Sequence, residues 1–438
     1  MNIDLQAFDR ELAPLAKADK VGMEVGFIRR KPRKIQPLEL LKAFCMLLPQ
    51  GPSLRTLALV LSALCGETVS KQAVAKRIGK SWVEFLKQML ALLLCRRFET
   101  PSTQSLFSAF TRALLHDSSA LPLPDELAPY YPGAGNQYGH NAQAKIQAIL
   151  DIKSRSYVYF SLTPFTRNDQ TAASDVLGLL QPGDLIIRDL GYFALKVLAR
   201  ISCGGSFFIS RFPCRCSLYD ADGASDLPCL LRKEGRLDRW VRVGCSEKLA
   251  VRLVAIPVPP QIAEKRRRAL RQRRDRRFNP SKDHLFLLGW SIFVTNVAEE
   301  VWSADQIAEI YGLRWGIEIV FKAWKSHFGI TCYSRSASLC QIESLIYTRL
   351  ILILLFHATI YNPLRTQIDR DFARKLSLLK LSAFFVNYRW LTPIIARSAN
   401  RGLLDDILTH FCTYDKRKRP NYENILEDGG WNGRKHLS

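Results

Sequence analysis

The period of the apolar residues changes at Pro101, and that change commits the chain to a mixed α/β architecture. Before Pro101, apolar residues recur at helical spacing. Pro37–Leu48 repeats leucine in this way. Ser53 is placed to cap a helix over Leu54–Leu64, whose Leu54, Leu57, Val60, Leu61 and Leu64 share one face. Gly66 interrupts it. Ser70 is placed to cap a second helix, Lys71–Leu86, with Val74, Ile78, Trp82 and Phe85 on its apolar side and Lys71, Lys76, Arg77 and Lys80 elsewhere. Helix, glycine-containing turn and capped basic helix is a helix-turn-helix layout. A plain helical hairpin has the same pattern, but the basic second helix favours DNA contact through residues such as Lys71 and Arg77.

After Pro101 short apolar runs take over. Thr111–His116 reads as a strand ending at Asp117, and Ala144–Ile152 with Tyr157–Leu162 reads as a hairpin. Asp169–Leu180 is helical, Asp184–Arg188 is a buried-type strand ending at Asp189, Gly191–Ile201 is helical and Ser206–Arg211 is a strand. From Cys214 to about Pro260 short β-like runs are divided by Gly, Asp and Pro, which reads as a β-rich insertion. Strand character returns over His284–Asn296. Ser303 then caps a helix over Ala304–Phe328 that Gly329 stops. The expected organisation is a helical, helix-turn-helix-like region (1–100), a first core segment (101–212), the insertion (213–283), a second core segment with the Glu318 helix (284–330), and a helical C-terminal region with a polar tail (331–438).

Lys and Arg number 63 against 40 Asp and Glu, a net charge of +23, so a polyanion is the expected partner. The densest run is Glu264–Arg277, EKRRRALRQRRDRR, with nine basic residues against two acidic ones. Such a run is either a solvated helix or a nucleic-acid contact. Its place inside an already basic chain favours the second, through Arg266, Arg267, Arg268, Arg273 and Arg274. Leu345–Ile360 is apolar enough to suggest a membrane span, but Arg349 and His357 interrupt it and a span needs about 20 mostly apolar residues, so a buried helix is expected. The eleven cysteines lack metal-site spacing and Met1–Arg10 has no apolar leader, which fits free thiols in a reducing cytosol.

The stretch that carries chemistry is Ile310–Lys325, IYGLRWGIEIVFKAWK. On one helix, Tyr311, Arg314, Glu318 and Lys325 fall within about 60° of each other. Arg314 and Glu318 form an ordinary i,i+4 pair, so a surface ion-pair stripe is one reading. The other is a metal-binding carboxylate flanked by phosphate-binding cations.

These residues resemble the Y-(2)-R-(3)-E-(6)-K signature of bacterial DDE transposases of the insertion-sequence-four family: Tyr311, Arg314, Glu318 and Lys325 match it in register. Two further stretches are similar: Leu114-Leu115-His116-Asp117-Ser118-Ser119, like the family's first Asp at a strand end, and Arg188-Asp189-Leu190-Gly191-Tyr192-Phe193, like its second. The resemblance spans roughly residues 40–370. It implies an RNase H-like catalytic core with a β-rich insertion, preceded by a helical DNA-binding region and followed by a helical one. Asp117, Asp189 and Glu318 would be the catalytic, metal-ligating acids, on two Mg²⁺ ions for which Mn²⁺ can substitute. Tyr311, Arg314 and Lys325 would bind phosphates. The partners would be double-stranded DNA, as terminal inverted repeats and target, and a second copy in the synaptic complex. The setting would be the bacterial cytoplasm and nucleoid, with no membrane.

Other acids have blander readings. Asp151 and Asp184 belong to turns, Asp169 and Asp175 flank or sit on a helix, and Asp125 and Glu126 follow prolines in a loop. Trp290 lies 28 residues before Glu318; core packing is one reading, and the resemblance implies another, an aromatic that holds a flipped base while a DNA hairpin forms, with Trp240 a second candidate. A catalytically inactive, transposase-derived DNA-binding regulator is the rival function.

Overall fold

The computed structural model describes residues 12–29, 34–47, 49, 51–95, 105–136, 139–221, 223–272, 280–333, 338–398 and 402–414. Among the described residues, eleven strands form one mixed sheet: β1 (Ala113–Pro122), β2 (Pro132–Asn136), β3 (Gly139–Asp151), β4 (Ser156–Pro164), β5 (Leu185–Arg188), β6 (Phe207–Arg211), β7 (Leu218–Asp220), β8 (Gly223–Ser225), β9 (Leu237–Val243), β10 (Leu249–Pro257) and β11 (Trp290–Thr295). Their order is β2-β3-β1-β5-β6-β11-β10-β9-β7-β8, with β4 also on β3. β3 runs antiparallel to β1 and β4, whereas β5 is parallel to β1 and β6 is parallel to β5.

Local chemistry explains the central strands. The β3–β4 hairpin turns where the Asp151 carboxylate accepts the amides of Lys153 at 3.1 Å and Ser154 at 3.3 Å, and it also accepts the Ala113 amide, tying the turn to the start of β1. β5 is buried along its whole length, as a parallel strand covered on both faces must be. Successive side chains of β1 divide between two cores: Leu115 packs with the N-terminal, Glu318-bearing and C-terminal helices, and Leu114 packs with the helix Leu195–Cys203 and the inner face of β9 and β10.

The segment expected as an insertion extends this same sheet. β10 pairs with β11 from Arg252↔Thr295 to Pro257↔Trp290, and β11 pairs in turn with β6. The strand expected over His284–Asn296 begins as helix, because the Ser281 hydroxyl accepts the His284 amide and starts the helix Lys282–Leu287 before β11 begins. The expected Lys71–Leu86 helix is likewise two helices, Lys71–Arg77 and Lys80–Leu94, separated by extended backbone at Gly79. Its apolar face is nevertheless buried as expected: Trp82 stacks on Phe85 and meets Phe27 at a tilt, each 5.0 Å away between ring centres.

Leu339–Phe356 continues through a π-turn at His357–Tyr361 into Asn362–Phe372. By length and composition this helix could cross a membrane, but 61% of its most apolar window is buried inside the protein. Its interrupting polar groups are used in packing: Arg349, 1% exposed, donates to the Cys332 carbonyl at 2.8 Å, and His357 Nε2 lies 3.0 Å from the Tyr157 hydroxyl.

Gly329 ends the Glu318 helix region with φ +59°, and a Cβ there would overlap the Pro49 carbonyl oxygen. Neither strain can be relieved by a rotamer. Gly329→Ala should lower stability by roughly 2–3 kcal/mol. A urea midpoint unchanged from wild type would show that the Pro49 segment yields freely.

Candidate active site

Two of the acids are placed by strand register. β1 and β5 are parallel, with His116 opposite Arg188, so Asp117 and Asp189 come next on adjacent strands spaced about 4.8 Å apart. Asp117 was expected at a strand end. It lies in mid-strand, because β3 continues to pair with β1 past it (Asp117↔Ala148 onward to Pro122↔Gln143). It is β5 that stops there, at Arg188, and Asp189 then leads into a single 3₁₀ turn, Leu190–Tyr192. The opening beside Asp117 is therefore made by the neighbour's ending.

The third acid comes from the helical stripe. Ser303 starts a helix with a reciprocal capping box to Gln306, as expected, but the helix is divided into Ala304–Gly312 and Trp315–Ser326. Arg314 sits at the division with helical dihedrals (φ −53°, ψ −33°), so the phase of the stripe survives. Glu318 follows in the first turn of the second helix.

Arg314 binds the three acids together. Its Nη1 donates to Asp117 Oδ2 at 2.8 Å, its Nη2 pairs with Glu318 Oε1 at 2.9 Å, and its Nε lies 3.9 Å from Asp189 Oδ1. Its side chain is 10% exposed, against 15% for Asp117, 43% for Asp189 and 41% for Glu318, so the cation is the innermost group. Burial works to lower the guanidinium pKa, and Tyr311 with the three carboxylates overrides it, leaving the pKa raised. Burial is also the largest influence on Asp117, whose carboxyl is pushed up to about 6; the Ser118 amide and Arg314 pull the other way, and Asp189 and Glu318 add to the rise.

Tyr311 behaves differently from expectation. Its ring is buried against Phe293, and its hydroxyl donates to Asp189 Oδ1 at 3.0 Å. In this arrangement the hydroxyl is engaged by the Asp189 carboxylate. Lys325 is exposed and lines the acidic cleft, a cavity of about 550 Å³ whose walls also include Ser118, Phe321, Lys322 and Ser326. Lys322 went unnoticed in the sequence, although its i+4 spacing from Glu318 was available to find it.

Asp169 is more than a helix-flanking acid. Its Oδ1 accepts from the Ser118 hydroxyl at 2.9 Å, Lys145 at 3.0 Å and Gln147 at 3.2 Å, and its side chain packs against Gly191. It thus ties the strand of Asp117 to the turn that follows Asp189. Asp151, Asp175 and Asp184 are committed elsewhere, to the hairpin turn, Arg167 and Arg112 respectively.

The remaining expected DNA contacts divide. Arg266 donates to the carbonyl of Trp290 at 3.1 Å and Arg267 to that of Leu285 at 3.1 Å, so both guanidinium groups brace the approach to β11. Arg268 is exposed on the helix Pro260–Arg271, whereas Arg273 and Arg274 lie outside the described residues. Trp290 is half-buried beside Phe286 and is absent from the cleft wall; Trp240 is 53% exposed on β9. Lys71 is exposed, while Arg77 donates to the Phe27 carbonyl at 3.2 Å and covers the Phe27 ring.

Three hard carboxylate donors in one polar cleft have the chemistry that Mg²⁺ or Mn²⁺ requires. Among the described residues no three acids, imidazoles or thiols are grouped closely enough to hold an ion as they stand. The guanidinium occupies the space between Asp117, Asp189 and Glu318.

A strand-borne acid pair and a helix-borne glutamate thus line one cleft. Residues 108–355 match the family described as transposase DDE domain, and the chain belongs to this family of DNA-cleaving transposases. It is 32% identical to the transposase for insertion sequence element IS231D of Bacillus thuringiensis subsp. finitimus, over 82% of this chain and 80% of that one. It is 30% identical to the transposase for IS231B of Bacillus thuringiensis subsp. berliner (86% and 84%) and 24% identical to that for IS1151 of Clostridium perfringens (85% of each). A piggyBac transposase synaptic complex with hairpin DNA aligns at a TM-score of 0.44 and 10% identity, over 96% of this chain and 87% of that one, a likeness too distant to argue from.

The raised Asp117 pKa has a consequence for stability. The folded protein holds this proton more tightly than the unfolded chain, where an Asp titrates near about 3.9, so stability falls as pH rises from about 4 through 6. Asp117→Asn, neutral throughout, should stabilise the metal-free protein at pH 8 by on the order of 1–3 kcal/mol, with the gain vanishing below about pH 4. Unfolding midpoints in EDTA at both pH values check this; a gain independent of pH would assign it to packing.

Proposed function

We propose that this transposase performs cut-and-paste transposition of an insertion sequence on two Mg²⁺ ions held by Asp117, Asp189 and Glu318. The observation that carries the reading is the convergence of those three acids, drawn from β1, the end of β5 and the helix Trp315–Ser326, on one open cleft. The strand order β4-β3-β1-β5-β6, with three antiparallel strands followed by two parallel to β1, supports an RNase H-like core. Bound there, the ions would activate water or a DNA 3′-hydroxyl and stabilise the leaving oxygen in an in-line displacement at phosphorus.

The protein's own residues would do the rest. Tyr311 orients Asp189, and the Ser118 amide, at 2.8 Å, orients Asp117. Lys322 and Lys325 at the cleft wall meet phosphates as point charges, and Arg314 meets them as a fork. Exposed Lys71 and Arg268 extend the basic surface to the terminal inverted repeats and target DNA. A hairpin intermediate belongs to the same reading, with exposed Trp240 better placed than Trp290 to stack on a base. So do pairing of two copies on two DNA ends and a cytoplasmic, nucleoid-associated setting. The complete acidic set speaks against an inactive regulator.

Asp117→Asn, Asp189→Asn and Glu318→Gln should each abolish metal-dependent nicking of a terminal-repeat duplex and leave its binding within a few-fold of wild type. Near-wild-type nicking by any one of them removes that residue from the metal site. Binding should also weaken steeply between about 50 and 200 mM salt. Replacing Arg268 and Arg271 with Gln should flatten the log–log slope by up to about 2, whereas Arg266→Gln should lower the unfolding midpoint with little change in slope. An unchanged slope for the double variant would make the Pro260–Arg271 helix a solvated spacer.

A further inference from the structure

We propose that Arg314 is a built-in counter-cation that holds the carboxylate site closed to divalent ions, and that a phosphate at a DNA end draws it off, so that end capture and metal loading promote each other. The inference rests on the metal-site reading above and goes beyond it by assigning the order of events.

The geometry sets two cations in competition for the same oxygens. Arg314 contacts Asp117 Oδ2 at 2.8 Å and Glu318 Oε1 at 2.9 Å and reaches toward Asp189. A Mg²⁺ ion takes carboxylate oxygens at about 2.0–2.1 Å and tolerates little distortion. It cannot take Asp117 Oδ2 or Glu318 Oε1 in this way while the guanidinium, of like charge, holds both. The three carboxylates line one cleft around a single guanidinium, and like charges so placed repel one another without a cation between them. One positive group must be exchanged for another.

The departing guanidinium needs somewhere to go. It is nearly buried and carries five donors, and leaving them unmatched is costly. Even in place the fork is incompletely used: Nε has no hydrogen-bond partner. A phosphate offers two oxygens in the spacing that a guanidinium matches, and the cleft wall already presents Lys322 and Lys325 to an incoming backbone. Arg314 also stands at the division between the helices Ala304–Gly312 and Trp315–Ser326, so its side chain can be redirected without unwinding a helix interior. Coupling of this kind is reciprocal: DNA must raise metal affinity by the same factor by which metal raises DNA affinity. Metal-loaded active sites would then form chiefly on DNA ends.

The test is Mn²⁺ binding to the full chain, followed by electron paramagnetic resonance and calorimetry, with and without a pre-cleaved duplex ending in the element's own terminal repeat. Wild type should bind Mn²⁺ weakly when free and about fivefold or more tighter with DNA. Arg314→Ala should bind Mn²⁺ at least fivefold tighter than wild type without DNA and lose the dependence on DNA. Its unfolding midpoint should fall in EDTA and rise more than that of wild type when Mn²⁺ is added. Arg314→Lys, which keeps the charge without the fork, should lie between the two and serves if the alanine variant fails to fold. Equal Mn²⁺ affinity in wild type and both variants, or DNA-independent Mn²⁺ binding in wild type, overturns the inference and leaves the metal-site reading intact. If Mn²⁺ binds no more tightly to wild type or to either Arg314 variant than to Asp117→Asn, with or without DNA, the metal-site reading fails as well.

Discussion

Three carboxylates cannot share one cleft without positive charge between them, and Arg314 supplies it from within. Two strands and one helix have to meet where that guanidinium sits, because each contributes one of its carboxylate neighbours. The contacts join residues nearly two hundred positions apart, so the ion cluster also closes the fold around the cleft. Tyr311 and Asp169 extend the same constraint outward, one fixing Asp189 from the helix side and the other joining Ser118 to Gly191 on the far face of the sheet.

Strand register acts as the ruler of the site. Parallel pairing of β1 with β5 fixes the separation of the Asp117 and Asp189 backbones before any side chain is placed. The two acids then differ in character because their strands differ in length. Asp117 remains inside a paired strand and is buried, while Asp189 stands in a turn and is far more open. The burial that Asp117 owes to its paired strand is the largest influence raising its proton affinity.

Local signals in the sequence were reliable where a single residue decides the backbone. Ser53, Ser70 and Ser303 all cap helices where the pattern placed them, and the hairpin at Asp151 turns as read. The four-residue stripe from Tyr311 to Lys325 was visible from spacing, and with Asp117 and Asp189 it led to the cleft. Less visible was anything set by a distant partner. Asp117 continues in strand because β3 accompanies it; Arg266 and Arg267 are spent on the carbonyls around Leu285 and Trp290; Arg77 is spent on Phe27. Formal charge in a sequence does not reveal which carbonyl a guanidinium will find. The β-rich character of the stretch after Cys214 was legible, but not its pairing: β10 finds β11 across the intervening basic helix and so extends the main sheet.

The long helix Leu339–Phe356 lies in one continuous apolar cluster with Trp82 and Phe85 of the N-terminal helices, Leu115 of β1 and Trp324 of the Glu318 helix. Among the described residues, the N-terminal helices and the sheet thus share one apolar core. Exposed Lys71 is therefore held at a set offset from the acidic cleft, like the two jaws of a locked caliper. On the function proposed above, a DNA duplex that met both would be measured along its length, and the scissile bond would be set by distance as much as by sequence.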